Sequence, residues 1–153
     1  ATPRVQEALK REFPYVFEDY KYPGVPEIEM HTINGLPFFV RGMEIQPVEV
    51  LHYRLPVHGF RIGDFTYITD ANAITDDELA KVRGSKIIVI NALRREPHVS
   101  HFTLSEALEI IEKTGPEQAF LTHISHQLGK QIEVDAELPS NVKCAFDGLV
   151  LEL

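Results

Sequence analysis

Residues 86–127 read KIIVINALRREPHVSHFTLSEALEIIEKTGPEQAFLTHISHQ, and this stretch decides the fold class. Lys86 to Asn91 is a continuous apolar run, as a strand covered on both faces should be. Thr103 to Lys113 is the clearest helix of the chain. Thr103 and Glu106 form a capping box, Leu104, Ala107, Leu108 and Ile111 supply an apolar face, and Gly115-Pro116 stops it. Gln118 to Thr122 is a second buried strand. Strand, helix and strand in succession predict an α/β fold.

Upstream the pattern differs. Residues 27 to 70 read as short strands of an antiparallel meander. Ile28, Met30 and Thr32 alternate with polar neighbours, and Asn34-Gly35 predicts a two-residue hairpin returning through Phe38 to Val40. Arg41-Gly42 is the next turn, Glu44 to Leu51 the next strand, and Val57 to Ile62 with Phe65 to Thr69 a hairpin around Gly63-Asp64. The chain opens with a helix capped by Thr2 and started by Pro3, with Val5, Ala8, Leu9 and Phe13 at helical spacing. Pro14 ends it, and residues 14 to 26 read as an irregular loop. Asp76 to Val82 is a short helix capped by Thr75. Downstream, Val142 to Ala145 and Leu149 to Leu151 predict a closing hairpin across Phe146-Asp147-Gly148. One domain over residues 1–153 is expected.

The chain has 153 residues, 15 basic and 23 acidic, for a formal charge of −8. That acidity argues against a nucleic-acid binder, which needs cations to replace counterions. No apolar run approaches the roughly 20 residues of a membrane helix, no signal peptide is visible, and one cysteine, Cys144, forms no internal disulfide. A cytoplasmic protein is expected.

Seven histidines are the unusual count. His52, Asp70, His101 and His123 lie at or just past strand ends, where a rigid strand delivers a side chain to an open loop. Imidazole with carboxylate suits Zn²⁺ or Mn²⁺. For any one histidine, a hydrogen-bonded surface residue is the plainer reading. His98 and His31 read as surface, although His98 stands near enough to His101 to line a pocket. His126 is either a residue orienting a ligand or a helix-start residue. Asp147 is read first as a turn residue and second as a site carboxylate.

Thr122-His123-Ile124-Ser125-His126-Gln127 after a buried strand resembles the last metal-binding motif of the metallo-β-lactamase superfamily. Gly59-Phe60-Arg61-Ile62-Gly63 followed by Tyr67-Ile68-Thr69-Asp70 resembles the hairpin that delivers its bridging aspartate. Phe146-Asp147-Gly148-Leu149 resembles its closing segment. The chain is most similar to the phosphoribosyl cyclic phosphate phosphodiesterase branch, over residues 1 to 153. This resemblance implies the C-terminal portion of an αββα sandwich. It implies metal ligation by His52, Asp70 and His123, with His58 a rival to His52, and phosphate contact or proton donation by His101. The complete family site holds two divalent ions that activate water for attack on phosphorus, and a small or cyclic phosphodiester is the implied substrate.

The family's His-x-His-x-Asp-His motif has no match in this sequence. The expectation is therefore a C-terminal portion of a larger protein, inactive alone, or associating with another copy or half that covers its apolar surface. Hydrolysis of another ester, thioester or lactam on the same fold is the second hypothesis. A non-enzymatic, partner-binding remnant is the third.

Overall fold

The computed structural model describes residues 1–20 and 22–152. Its internal contacts separate into two compact units, Ala1–Leu36 and Pro37–Leu153.

In the first unit, helix α1 (Pro3–Glu12) is capped as its sequence predicts, with the Thr2 hydroxyl accepting from the Val5 amide. The loop over residues 14 to 26, of which Lys21 lies outside the described residues, contains one short helix, α2 (Pro14–Phe17). The strand predicted at Ile28 to Thr32 does not form. The chain start pairs with this segment instead: the Ala1 amino group donates to the His31 carbonyl at 2.8 Å, and the Ile33 amide donates to the Ala1 carbonyl at 3.0 Å. A partner one residue long satisfies those groups without a ladder. Asn34 Oδ1 accepts from the Leu36 amide at 3.2 Å, so Asn34-Gly35 builds a local side-chain turn rather than a hairpin.

The second unit is built on a seven-stranded sheet in sequential order. Strands β1 (Phe38–Val40), β2 (Met43–His52), β3 (Leu55–Ile62) and β4 (Phe65–Ile68) form the antiparallel meander. Arg41 and Gly42, at φ 50° and 84°, make the turn between β1 and β2. Both positive angles suit a primed hairpin turn, whose twist matches that of the strands. At Gly59 the β3–β4 packing leaves no room for a side chain: a Cβ there would lie 2.7 Å from the Tyr67 carbonyl oxygen.

From β4 onward the sheet is parallel, through β5 (Ile87–Asn91), β6 (Gln118–Thr122) and β7 (Val142–Cys144). Helix α3 (Asp76–Val82) connects β4 to β5, and α4 (Leu104–Thr114) connects β5 to β6. The predicted caps are present: Thr75 accepts from the Glu78 amide, and Thr103 with Glu106 closes a full capping box. A short helix, α5 (Gln131–Asp135), precedes β7 and was not legible in the sequence.

One face of the sheet carries the main core. Val48, Val50, Ile68, Ile88, Ile90 and Leu121 pack with Leu79 and Val82 of α3 and Ala107, Ile110 and Ile111 of α4. The other face holds a smaller cluster of Ile87, Val89 and Phe120. This is where the predicted closing hairpin fails. Leu149 and Leu151 lie against that second cluster instead of pairing at the sheet edge, because burying leucine side chains on the sheet face removes more apolar area from water than an exposed edge pairing would. The Leu149 amide closes a turn on the Phe146 carbonyl at 3.1 Å.

Cys144 is buried, as expected of a core residue. Burial, with Asp135 beside it, pushes its thiol up to about 12. Among the described residues no helix is long and apolar enough to cross a membrane.

Candidate metal centre

The site lies at the carboxyl ends of β2, β4 and β6. His52 is the last residue of β2, on the same pleat face as the buried Val48 and Val50. Asp70 follows β4 by two residues, and His123 follows β6 by one. Both adopt left-handed backbone, at φ 52° and 54°. Aspartate and histidine tolerate this region better than bulky residues, yet it is held only where the surroundings enforce it.

Four sequence-predicted residues come together. Asp70 Oδ1 lies 3.2 Å from His101 Nε2 and 3.1 Å from His123 Nε2. The His101 and His123 rings stack at 4.7 Å, and the His52 ring meets His101 edge-on at 4.8 Å. One donor atom each from His52, Asp70 and His101 falls within a span of 4.8 Å. His98 joins from the loop after β5, with its Nδ1 3.1 Å from His101 Nδ1. Ser100 Oγ lies 2.9 Å from the same nitrogen. Nothing in the sequence distinguishes Ser100 from an ordinary loop serine, so only the fold reveals its place beside His101.

The other candidates stand apart. His58 lies opposite Glu49 in the β2–β3 ladder and stacks on Phe60, on the face away from the core. His31 is exposed and pairs with Glu29. His126 and Asp147 are exposed, and among the described residues neither bonds to the cluster. The register separates His52 from His58 in a way that spacing does not: they are six residues apart, the same pleat parity on one strand, but here they lie on two strands joined by the Tyr53-Arg54 turn.

Burial pushes the His101 imidazole below its ordinary value, and the imidazoles of His123, His52 and His98 act in the same direction. Its hydrogen bond to Asp70 opposes them. The neutral ring is therefore favoured, and a neutral ring can coordinate a cation.

Backbone bonds tie the loops together. Leu51 and Ala73 form an antiparallel bridge beside His52, and Asn72 Oδ1 accepts from the Tyr53 amide at 2.6 Å. The Phe102 amide, next to His101, donates to the Ala71 carbonyl at 2.7 Å. The buried Asn91 side chain bonds both the amide and the carbonyl of Ala71.

Two imidazoles on one carboxylate oxygen, with the His52 donor within 4.8 Å of those of Asp70 and His101, form a donor set of the hard and borderline type that divalent zinc or manganese accepts, so these residues fit a metal.

The β-lactamase superfamily domain matches residues 1–124. A curated octanoyltransferase of Porphyromonas gingivalis (strain ATCC BAA-308 / W83) is 30% identical over 151 residues, which are 97% of this chain and 31% of that protein. A solved structure described as a new diphosphatase from the PhnP family superposes with a TM-score of 0.89 at 33% identity, over 100% of this chain and 57% of that one. Zn(2+)-bound PqqB from Methylobacterium extorquens gives a TM-score of 0.70 at 14% identity, over 100% of this chain and 64% of that one, and shares the fold. The chain thus spans about a third of the curated relative and somewhat over half of the diphosphatase.

Proposed function

The chain belongs to the metallo-β-lactamase superfamily, in the PhnP-like branch, and from that premise we propose that the complete protein is a metal-dependent hydrolase of small or cyclic phosphodiesters. The observation that carries the proposal is Asp70 Oδ1 shared by His101 and His123 beside His52. His52, Asp70 and His123 would hold the metal, zinc or manganese. When bound, the metal supplies Lewis acidity toward water and phosphoryl oxygen.

The chain's own residues do the rest. Asp70 offers one oxygen to two neighbours, which suits a carboxylate placed between cationic groups. Burial holds the His101 imidazole below its ordinary value, with its Nδ1 against Ser100 and His98, leaving Nε2 turned to the site. From there it can take up a proton and pass it to a leaving oxygen, or hold a phosphate as the imidazolium. A second reading makes His101 a metal ligand, which the 4.8 Å span of its donor with those of His52 and Asp70 favours.

The complete protein carrying His101→Gln separates the two. Full metal content with turnover of bis(p-nitrophenyl) phosphate lowered about 10²- to 10⁴-fold supports the proton-transfer role, and loss of metal supports ligation. Preferential hydrolysis of a thioester or lactone over the phosphodiester by the wild type would overturn the substrate class. The octanoyltransferase name of the curated relative makes the thioester the comparison to run first. The donors named here serve a single ion, so this chain by itself is expected to turn over the phosphodiester poorly.

A further inference from the structure

We propose that Asn91 is a positioning residue that registers the three metal-site loops of β4, β5 and β6 against one another. This rests on the metal-dependent reading above. Asn91 is fully buried and ends the strand between those that deliver Asp70 and His123, and among the described residues its side-chain amide bonds to none of the site's imidazoles or carboxylates.

Its side chain bonds a backbone unit twice. Asn91 Oδ1 accepts from the Ala71 amide at 3.0 Å, and Asn91 Nδ2 donates to the Ala71 carbonyl at 2.9 Å. The Ala71 amide belongs to the peptide group that follows Asp70, so holding it fixes the plane from which the Asp70 Cα and side chain project. Asp70 stands at φ 52°, a conformation that relaxes away unless something holds it. The same Ala71 carbonyl accepts from the Phe102 amide, which ties the residue after His101 to the residue after Asp70. One residue beyond Asn91, the Ala92 amide donates to the Thr122 carbonyl at 3.0 Å, immediately before His123. Asp70 and His123 are thus each one residue from a bond made by Asn91 or Ala92, and His101 is one residue from a bond to the Ala71 carbonyl that Asn91 also holds.

A side chain that merely filled the core would need no amide. Leucine has the same branched skeleton with bulkier, apolar ends, and it would leave the Ala71 amide unpaired in a buried place and loosen the link between the loops. The useful comparison is Thr66, also fully buried, whose hydroxyl meets Ser85 at 2.7 Å within the same second unit. Thr66→Val removes a buried polar bond away from the cluster.

The experiment compares wild type, Asn91→Leu, Asn91→Asp and Thr66→Val in the full chain. Metal affinity is read by titration calorimetry with Zn²⁺ and with Mn²⁺, and amide hydrogen exchange is read without metal. Asn91→Leu is expected to weaken metal binding about 10- to 100-fold and to speed exchange at Ala71 and Phe102. Asn91→Asp keeps the acceptor for Ala71 and is expected to fall between, which covers the case where the leucine variant does not fold. Thr66→Val is expected to lower the unfolding midpoint with unchanged metal affinity. Equal affinity in all folded variants would overturn the proposal. A wild type that takes up neither metal would overturn the proposed function instead, and unchanged exchange at Ala71 and Phe102 in the variants would then overturn the positioning by itself.

Discussion

The two ends of the parallel strands solve the same backbone problem with different residues. At the amino ends of β4, β5 and β6 the chain passes through Gly63, Gly84 and Gly115, at φ 57°, 83° and 63°. At the carboxyl ends of β4 and β6 it passes through Asp70 and His123, at φ 52° and 54°. Glycine reaches this region without a Cβ penalty. The site end carries side chains there at a cost, because the left-handed turn is what aims a carboxylate and an imidazole at each other. The contrast separates positions chosen for the path of the chain from positions chosen for chemistry.

The sharpest way to break this comparison is to exchange the two solutions. His123→Gly relieves the backbone and removes an exposed ring. It is expected to weaken metal binding by more than about 100-fold, beyond the loss of an outer partner. It should also stabilise the fold by on the order of 1 kcal/mol, or about 2–4 °C in Tm. Calorimetric titration and thermal melts read both, and a destabilised variant would mean that the site end carries no strain.

Gly115→Ala is the converse. A Cβ there meets nothing within 4 Å, so only the backbone conformation opposes it. A loss of about 1 kcal/mol with metal affinity unchanged is expected, from urea unfolding and the same titration. A neutral result would place the difference between the two ends in packing rather than in φ.

The smallest effect concerns pH. The folded His101 binds its proton less readily than the unfolded chain, whose histidines titrate near 6.5. Below that pH the unfolded state takes up the proton first, so this group's contribution to stability falls as pH drops through about 6.5 and is level above it. Urea midpoints of the metal-free chain at pH 5.5 and 7.5 should differ more in wild type than in His101→Gln. Equal differences would show that burial does not govern this ring.

Legibility in the sequence followed the range of the forces. The capping box of Thr103 and Glu106, the buried run at Ile87 to Ile90 and the placing of Asp70 and His123 past strand ends depend on near neighbours, and they stand in the structure as read. The Asn34-Gly35 hairpin failed because its segment bonds to Ala1, a partner that no local pattern announces. The hairpin at Phe146 to Gly148 failed because Leu149 and Leu151 are claimed by a cluster formed from distant strands. The membership of His52, Asp70, His101 and His123 in one site entered through resemblance, since separations of this size mean nothing before folding. Asn91 was visible as the polar end of an apolar run, but its two bonds to Ala71 span 20 residues and could not be read from it.

The buried Cys144 has a practical consequence for anyone labelling this protein. It is the chain's one cysteine, and a thiol pushed up to about 12 offers almost no thiolate at neutral pH. A maleimide would pass it by in the native state. A cysteine placed at exposed Ser140 would then be the single point of attachment for a dye or spin label, with the native residue left where it is.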